Sequence, residues 1–200
     1  GVGAVVVGAD FQFGKGRSGT VETLKAQDAF DVVVFEAVSA LGQKISSTQI
    51  REALKDGHPE RAAELLGHYW SIEGRVEHGD GRGRGIGFPT ANMRPHDCLA
   101  PAFGVYAVRV SVMRDDHILS RHDGVANFGI RPMFESATPL LETYLFDFDG
   151  DLYGAHLAVE LVAWLRGEEK LPDLAALKAR IAQDCENARA ALNSAPALDA

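Results

Sequence analysis

Gly79-Asp80-Gly81-Arg82-Gly83-Arg84-Gly85-Ile86-Gly87-Phe88-Pro89-Thr90-Ala91-Asn92 alternates glycine with charge and then stops on a proline-fixed Pro-Thr-Ala-Asn. Glycine tolerates positive φ and close backbone approach, so such a loop can turn its amides toward an anion. Arg82 and Arg84 add positive charge. The Thr90 hydroxyl and the Asn92 amide oxygen are hard donors of the kind magnesium takes. Phosphate, cation and metal ligands in one short stretch suggest a nucleoside triphosphate. A flexible Gly/Arg tether is the competing reading of the glycines. The rigid and bulky Phe-Pro-Thr-Ala-Asn ending argues against a tether.

Composition narrows the surroundings of this loop. The chain has 200 residues, 46% of them hydrophobic and 24% charged, which is ordinary for a globular protein with a real core. The net charge of −8 disfavours a general nucleic-acid binder. Against that acidic background, Arg75, Arg82, Arg84 and Arg94 stand beside only Glu77 and Asp80. The strongest local positive excess therefore coincides with the glycine loop, and a compact anion fits it better than a polymer. Cys98 and Cys185 fit no metal or redox pattern and read as two reduced, buried thiols of a cytoplasmic protein. No apolar run approaches the ~18 residues of a membrane span. The opening Gly1-Val2-Gly3-Ala4 lacks a methionine and begins inside an apolar run, as in a fragment or a processed chain.

Val2 to Val7 has the pattern of a buried strand closing on Gly8-Ala9-Asp10-Phe11, and Asp31 to Phe35 that of a second. With a short helical piece at Leu24–Ala26 between them, they form an α/β unit. Ile45-Ser46-Ser47-Thr48-Gln49-Ile50-Arg51 opens a helix with capping-box spacing at Ser46 and Gln49. Ser47, Thr48, free amides and Arg51 at such a start make either an anion site or a simple capped surface helix. A further helix begins at Pro59 and ends at Gly67. From Tyr69 the period changes from helical to two, which places a domain boundary at Gly67–His68. Strands are expected at Phe103–Met113, at Ile118–His122 and again from Gly124. Asp173 caps a last amphipathic helix carrying Leu174, Leu177, Ile181, Cys185, Ala188 and Leu192, and the final Pro-Ala-Leu-Asp-Ala reads as a frayed tail.

Leu140 to Phe148 is the most informative strand. Glu142, Tyr144, Phe146 and Phe148 share one face by alternation, and Leu141, Thr143 and Leu145 the other. A carboxylate in line with aromatics suits a general acid or base. A glutamate facing solvent at a barrel mouth fits the pattern as well. Asp147-Phe148-Asp149-Gly150-Asp151 superficially suggests a calcium loop, but Leu152 and Ala158 stand where an EF-hand needs glycine and glutamate. A tight turn is expected instead.

Over about residues 68 to 190 the chain resembles the riboflavin kinase family. The motifs that carry the likeness, in order, are Gly87 to Asn92, Phe103-Gly104-Val105-Tyr106, Gly124 to Pro132, Leu141-Glu142-Thr143, Asp147 to Gly154, Leu165-Arg166 and Gln183-Asp184. The resemblance implies a six-stranded antiparallel β-barrel with a C-terminal helix. It implies transfer of the ATP γ-phosphoryl group to riboflavin, giving FMN and ADP. By the same likeness Thr90 and Asn92 hold Mg²⁺ and Glu142 is the catalytic base. Gly79, Gly81, Arg82, Arg84, Gly85, Gly87, Pro89, Thr90, Tyr153 and Gly154 contact ATP. Arg131, Leu165, Arg166 and Asp184 approach the flavin. Three departures from the family pattern, Met133, Tyr144 and Gly167, are expected to act on loop stiffness or flavin affinity.

Residues 1–67 resemble the distal part of the bacterial FMN adenylyltransferase module, a partial α/β nucleotidyltransferase. The match rests on Val7 to Gly14 and Ile45 to Arg51. Asp10, Ser47, Thr48 and Arg51 are then what remains of its ATP site. That module's early histidine motif is absent, so adenylylation of FMN to FAD is expected of a longer chain and not of this one. The whole implies an enzyme of FMN and FAD synthesis in the cytoplasm, with no nucleic-acid or membrane partner and its oligomeric state left open. A flavin-binding barrel without catalysis, and adenylyl transfer as the main activity, are the alternatives.

Overall fold

The computed structural model describes residues 1–36, 39–40, 43–79, 81–95, 98–115, 117–130 and 139–198. The chain divides into two compact units, Gly1–Ser46 and Ser47–Ala200.

In the first unit β1 (Ala4–Gly8) is followed by a 3₁₀ turn (Lys15–Arg17) and α1 (Val21–Lys25), and then by β2 (Asp31–Phe35). The two strands pair in parallel, from Ala4 opposite Asp31 to Gly8 opposite Phe35. A capping box between Thr20 and Thr23 starts α1. β3 (Ser39–Ala40) and β4 (Gln43–Lys44) form a small antiparallel pair. The expected burial of the first strand is met only at Val7; Val6 is 63% exposed and Phe35 61%. Two strands beside one five-residue helix cannot cover both faces of a sheet whose sequence is apolar on both.

The second unit begins with α2 (Ser47–Lys55) and α3 (Pro59–Leu66). They bury Ala53, Leu54 and Ala62 against Trp70 and Leu99, at the start of the barrel sequence. The Ala102 amide donates to the Leu54 carbonyl at 2.9 Å, and Gly57, at φ 79°, lets the turn between the helices sit on the Trp164 ring. The change of periodicity at 67–68 and the compact division at 46–47 therefore mark different places in the chain.

Beyond the helices come β5 (Ser71–Arg75), α4 (Arg82–Ile86), β6 (Ala91–Met93), β7 (Gly104–Arg114), β8 (His117–Ile130), β9 (Pro139–Leu145), β10 (His156–Arg166) and α5 (Leu174–Ser194). The sheet order is β5-β10-β7-β8-β9-β6, antiparallel throughout. The two edges meet where the Glu77 amide donates to the Asn92 carbonyl at 2.8 Å. One bridge turns the sheet into the expected barrel. Tyr106, Phe128, Leu141, Leu157 and Leu161 fill its interior, each essentially inaccessible, and burying side chains of this size stabilises by about 1.5–3 kcal/mol apiece. On the outside Val105, Ala107, Val125, Phe146 and Val162 pack against Ala188 and Leu192 of α5.

Several details differ from the sequence expectations. Ile118–His122 and the segment from Gly124 are one continuous strand, because β8 pairs with β7 from His117 to Phe128 and takes β9 on its other edge from Gly124 onward. Phe148 leaves the face of Glu142, since Asp147 takes φ 54° and breaks the alternation; Phe148 packs toward the inner cluster and meets His122 edge-on at 5.0 Å. Leu174, expected on the apolar stripe of α5, is 56% exposed. Cys98 is exposed and Cys185 half-buried, and among the described residues neither is in a disulfide. The tail is held at its start, where the Pro196 carbonyl accepts from the Tyr69 hydroxyl at 3.1 Å and from Arg109 Nη1 at 2.9 Å.

Candidate active site

The glycine loop is more ordered than a tether and less open than a bare loop. Gly81 at φ 68° and Gly87 at φ 91° bracket α4, so left-handed glycines stand at both its ends. The Phe88 amide donates to the Gly83 carbonyl at 2.9 Å. A Cβ at Gly83 would run into the Phe88 carbonyl, and one at Gly79 into the Asn92 amide, whereas one at Gly85 meets nothing within 4 Å. The glycines thus have separate reasons. Two serve conformation, two serve close approach, and Gly85 is free of both constraints.

The loop delivers the chain into β6, whose three residues are all buried. Asn92 stands opposite Glu142 of β9, and Glu142 in turn stands opposite Asn127 of β8. The flanking residues Ala91, Met93, Leu141, Ala126 and Phe128 go into the barrel interior, so the Asn92–Glu142–Asn127 row lies on the outer face. Asn92 is 7% exposed, and its Nδ2 donates to the Thr90 carbonyl at 3.4 Å. Its Oδ1 has no hydrogen-bond partner among the described residues. A buried amide oxygen left unpaired is costly unless something binds it.

Two cavities meet at Thr90, beside this row. The first, of about 350 Å³, is lined by Thr90, Asn127, Glu142 and Tyr144, with Leu177 and Ile181 of α5 as an apolar wall. Phe88, also at this cavity, meets the Tyr144 ring edge-on at 5.5 Å. Arg166 and Asp184 line it too: Arg166 Nε reaches Asp184 Oδ1 at 2.9 Å and Nη2 reaches Oδ2 at 2.7 Å. Asp184 is 3% exposed, and its carboxylate holds Arg166 above the usual arginine range. The bidentate pair fixes the guanidinium plane at the cavity wall.

The second cavity, of about 280 Å³, is lined by Arg84, Pro89, Thr90, Phe148, Asp151 and Tyr153. Tyr153 stacks on His78 with ring centroids 3.9 Å apart. Gly154, at φ 73°, donates its amide to the Val76 carbonyl and accepts Arg75 Nη1 at 3.0 Å. Asp151 is used by the turn, accepting the Tyr153 amide at 3.0 Å. Among the described residues no group of three or more His, Cys, Asp or Glu side chains is placed to hold a metal. Thr90 belongs to both cavities. It is the partition between the chamber that holds Glu142 and the one that holds Arg84 together with Asp149 and Asp151.

The structure thus gathers Thr90, Asn92, Glu142, Arg166 and Asp184 on one face, and Arg84, Pro89 and Tyr153 around the adjoining cavity. Leu165 packs into the outer core beside α5 and does not line either cavity. Arg131, Pro132 and Met133 lie outside the described residues, as do Asp80 and the Arg82 side chain. Asp10 lies in the turn after β1 in the first unit, while Ser47, Thr48 and Arg51 open α2 in the second, where Arg51 Nη1 reaches Ser47 Oγ at 3.0 Å. Sequence reasoning missed Asn127. Asn127 stood inside a quoted motif, but only the strand register reveals its neighbour.

The riboflavin kinase profile matches residues 66–192. The chain belongs to the riboflavin kinase family. An FAD synthetase profile matches residues 1–49. Among curated relatives, the bifunctional riboflavin kinase/FMN adenylyltransferase of Haemophilus influenzae is 42% identical over 191 residues, 94% of this chain and 61% of that protein. Its Escherichia coli K12 counterpart is 42% identical over 188 residues, 92% of this chain and 59% of that protein. The chain therefore spans about 60% of the length of these relatives. A crystal structure described as a macrolide-efflux protein from Streptococcus pneumoniae superposes with a TM-score of 0.76 at 34% identity, covering 91% of this chain and 58% of that one. Among the described residues of this chain no helix is long and apolar enough to cross a membrane.

Proposed function

We propose that this chain transfers the γ-phosphoryl group of ATP to the 5′-hydroxyl of riboflavin, giving FMN and ADP, and that residues 68–200 are the kinase domain. The observation that carries the reading is the partition. Thr90 lines both cavities, with Glu142 in the one and Arg84 in the other. A phosphoryl group must cross from a nucleotide to an alcohol, and a shared wall between an alcohol chamber and a phosphate chamber is what an in-line transfer requires.

The chain's own residues have distinct tasks in this reading. The apolar wall from α5 holds the flavin ring, and the Arg166–Asp184 pair fixes its polar edge. Glu142 takes the proton of the 5′-hydroxyl as that oxygen attacks the γ-phosphorus, and the bond from the γ-phosphorus to the bridging oxygen breaks, leaving ADP. Arg84 and the amides of the loop neutralise the phosphates. The orphaned Asn92 Oδ1 beside Thr90 is the donor set a hard divalent cation prefers, so these two residues fit Mg²⁺. Such an ion, when bound, draws charge from the phosphate oxygens.

Asp10 in the first unit and, separately, Ser47, Thr48 and Arg51 at the start of α2 are assigned to FMN adenylyl transfer, on the strength of the FAD synthetase match and the bifunctional relatives. Two cysteines that form no disulfide among the described residues fit a cytoplasmic setting. The decisive experiment is conversion of riboflavin to FMN by this chain with Mg-ATP, followed by Glu142→Gln. Removal of the base is expected to lower kcat by about 10²–10⁴-fold with little change in the KM for ATP. Unimpaired turnover in that variant, or none in the folded parent, defeats the mechanism.

A further inference from the structure

Glu142 has an asparagine on each side across its strand pairs, Asn92 of β6 and Asn127 of β8. Asn92 has a role in the site described above; Asn127 has none. Its neighbours Ala126 and Phe128 are buried in the barrel interior, so Asn127 faces outward, where it lines the same cavity as Glu142, Thr90 and Tyr144. Directly opposed residues of an antiparallel pair have Cβ atoms about 4.5–5.5 Å apart, which brings its amide into the volume the Glu142 carboxylate serves. No hydrogen bond to a described residue engages that amide. A carboxamide offers two donors and an acceptor, and in a half-enclosed cavity an unused set of this kind favours a ligand that can fill it.

An ionised carboxylate only accepts hydrogen bonds, whereas an alcohol both donates and accepts. Two hydroxyls on adjacent carbons present their oxygens side by side, as Glu142 and Asn127 are presented on strands about 4.8 Å apart. We propose that the Asn127 carboxamide binds the polyol chain of the alcohol substrate at the hydroxyl next to the reacting one. That contact holds the terminal oxygen between Glu142 and Thr90. The inference rests on the kinase reading of this site and adds a substrate-positioning residue to it.

The test compares the parent chain and Asn127→Ala on riboflavin and on its 4′-deoxy analogue, with Mg-ATP. The parent is expected to lose about 10–100-fold in kcat/KM when the neighbouring hydroxyl is removed from the substrate. The variant is expected to lose a similar factor on riboflavin and to discriminate little between the two substrates, because the same contact is removed from either side. Its KM for ATP and its melting temperature stay at the parent's values. A variant that still discriminates as the parent does, or turns over riboflavin within about twofold of it, overturns the assignment. A folded parent that phosphorylates neither flavin overturns the kinase reading itself and this inference with it.

Discussion

Glu77 and Asn92 join the two edges of the barrel through main-chain atoms alone, amide to carbonyl at 2.8 Å. The Asn92 side chain takes no part in that bridge, and its Oδ1 is buried without a partner among the described residues. Backbone and side chain of one residue therefore have separable tasks. The backbone closes the fold, and the amide oxygen is left for the site.

That separation makes Asn92→Ala informative. The seam survives, because alanine keeps the carbonyl. Removing an unpaired buried oxygen offsets the lost packing, so the stability change should stay within about 1 kcal/mol by chemical denaturation. Turnover should fall on the order of 100-fold, because a ligand for transition-state charge is gone. A large loss of stability would show that the side chain serves the barrel instead.

The glycines of the loop should not be equivalent. Gly83→Ala drives a methyl into the Phe88 carbonyl, a backbone atom that cannot step aside without moving the Pro-Thr-Ala-Asn segment behind it. Gly85→Ala meets open space at ordinary φ inside α4 and should stabilise by about 0.4–1 kcal/mol. Steady-state kinetics should accordingly show Gly85→Ala near the parent and Gly83→Ala at least about tenfold worse in kcat/KM. Equal damage from both would mean that nucleotide phosphate lies directly against Gly85.

How much of this was legible in the sequence depends on the range of the interaction. The loop, the helix starts at Pro59 and Asp173, and the face shared by Glu142, Tyr144 and Phe146 follow from local chemistry and period. The family motifs carried Thr90, Asn92 and Glu142. What the sequence withheld was pairing between distant segments. The Asn127–Glu142 register, the Glu77–Asn92 seam and the docking of the Pro196 carbonyl on Tyr69 and Arg109 each join segments with no shared local pattern. Phe148 was misplaced because one positive φ at Asp147 shifts an alternation that sequence treats as uninterrupted.

Thr143 provides a stability test independent of catalysis. It faces the barrel interior between Ala91 and Ala126, fully buried, and its hydroxyl has no hydrogen-bond partner among the described residues. Valine has the same shape without that unpaired group. Thr143→Val is expected to stabilise by about 1 kcal/mol, or roughly 2–4 °C in melting temperature for a chain of this size. A loss of stability would show that the hydroxyl is hydrogen-bonded in the folded protein.

Glu160 sets a pH dependence. It lies on β10 opposite Ser71 and Arg109, and burial pushes its carboxyl above the ordinary range, with Arg109, Arg121 and His68 opposing the shift. Burial prevails because Arg109 is engaged elsewhere, donating to the carbonyls of Leu192, Ala195 and Pro196 and lying over the Tyr69 ring at 5.4 Å. A carboxyl whose pKa is higher folded than unfolded keeps its proton longer in the native state. Below the ordinary value of 4.5 both states are protonated and the group is neutral in effect. As pH rises from there through the raised value, the unfolded state ionises first and stability falls. Glu160→Gln removes this dependence. Its melting temperature relative to the parent should therefore rise between about pH 4 and pH 7.5, by differential scanning fluorimetry across that range. A difference that is flat with pH, or largest at the acid end, would show that the arginines outweigh burial at this site.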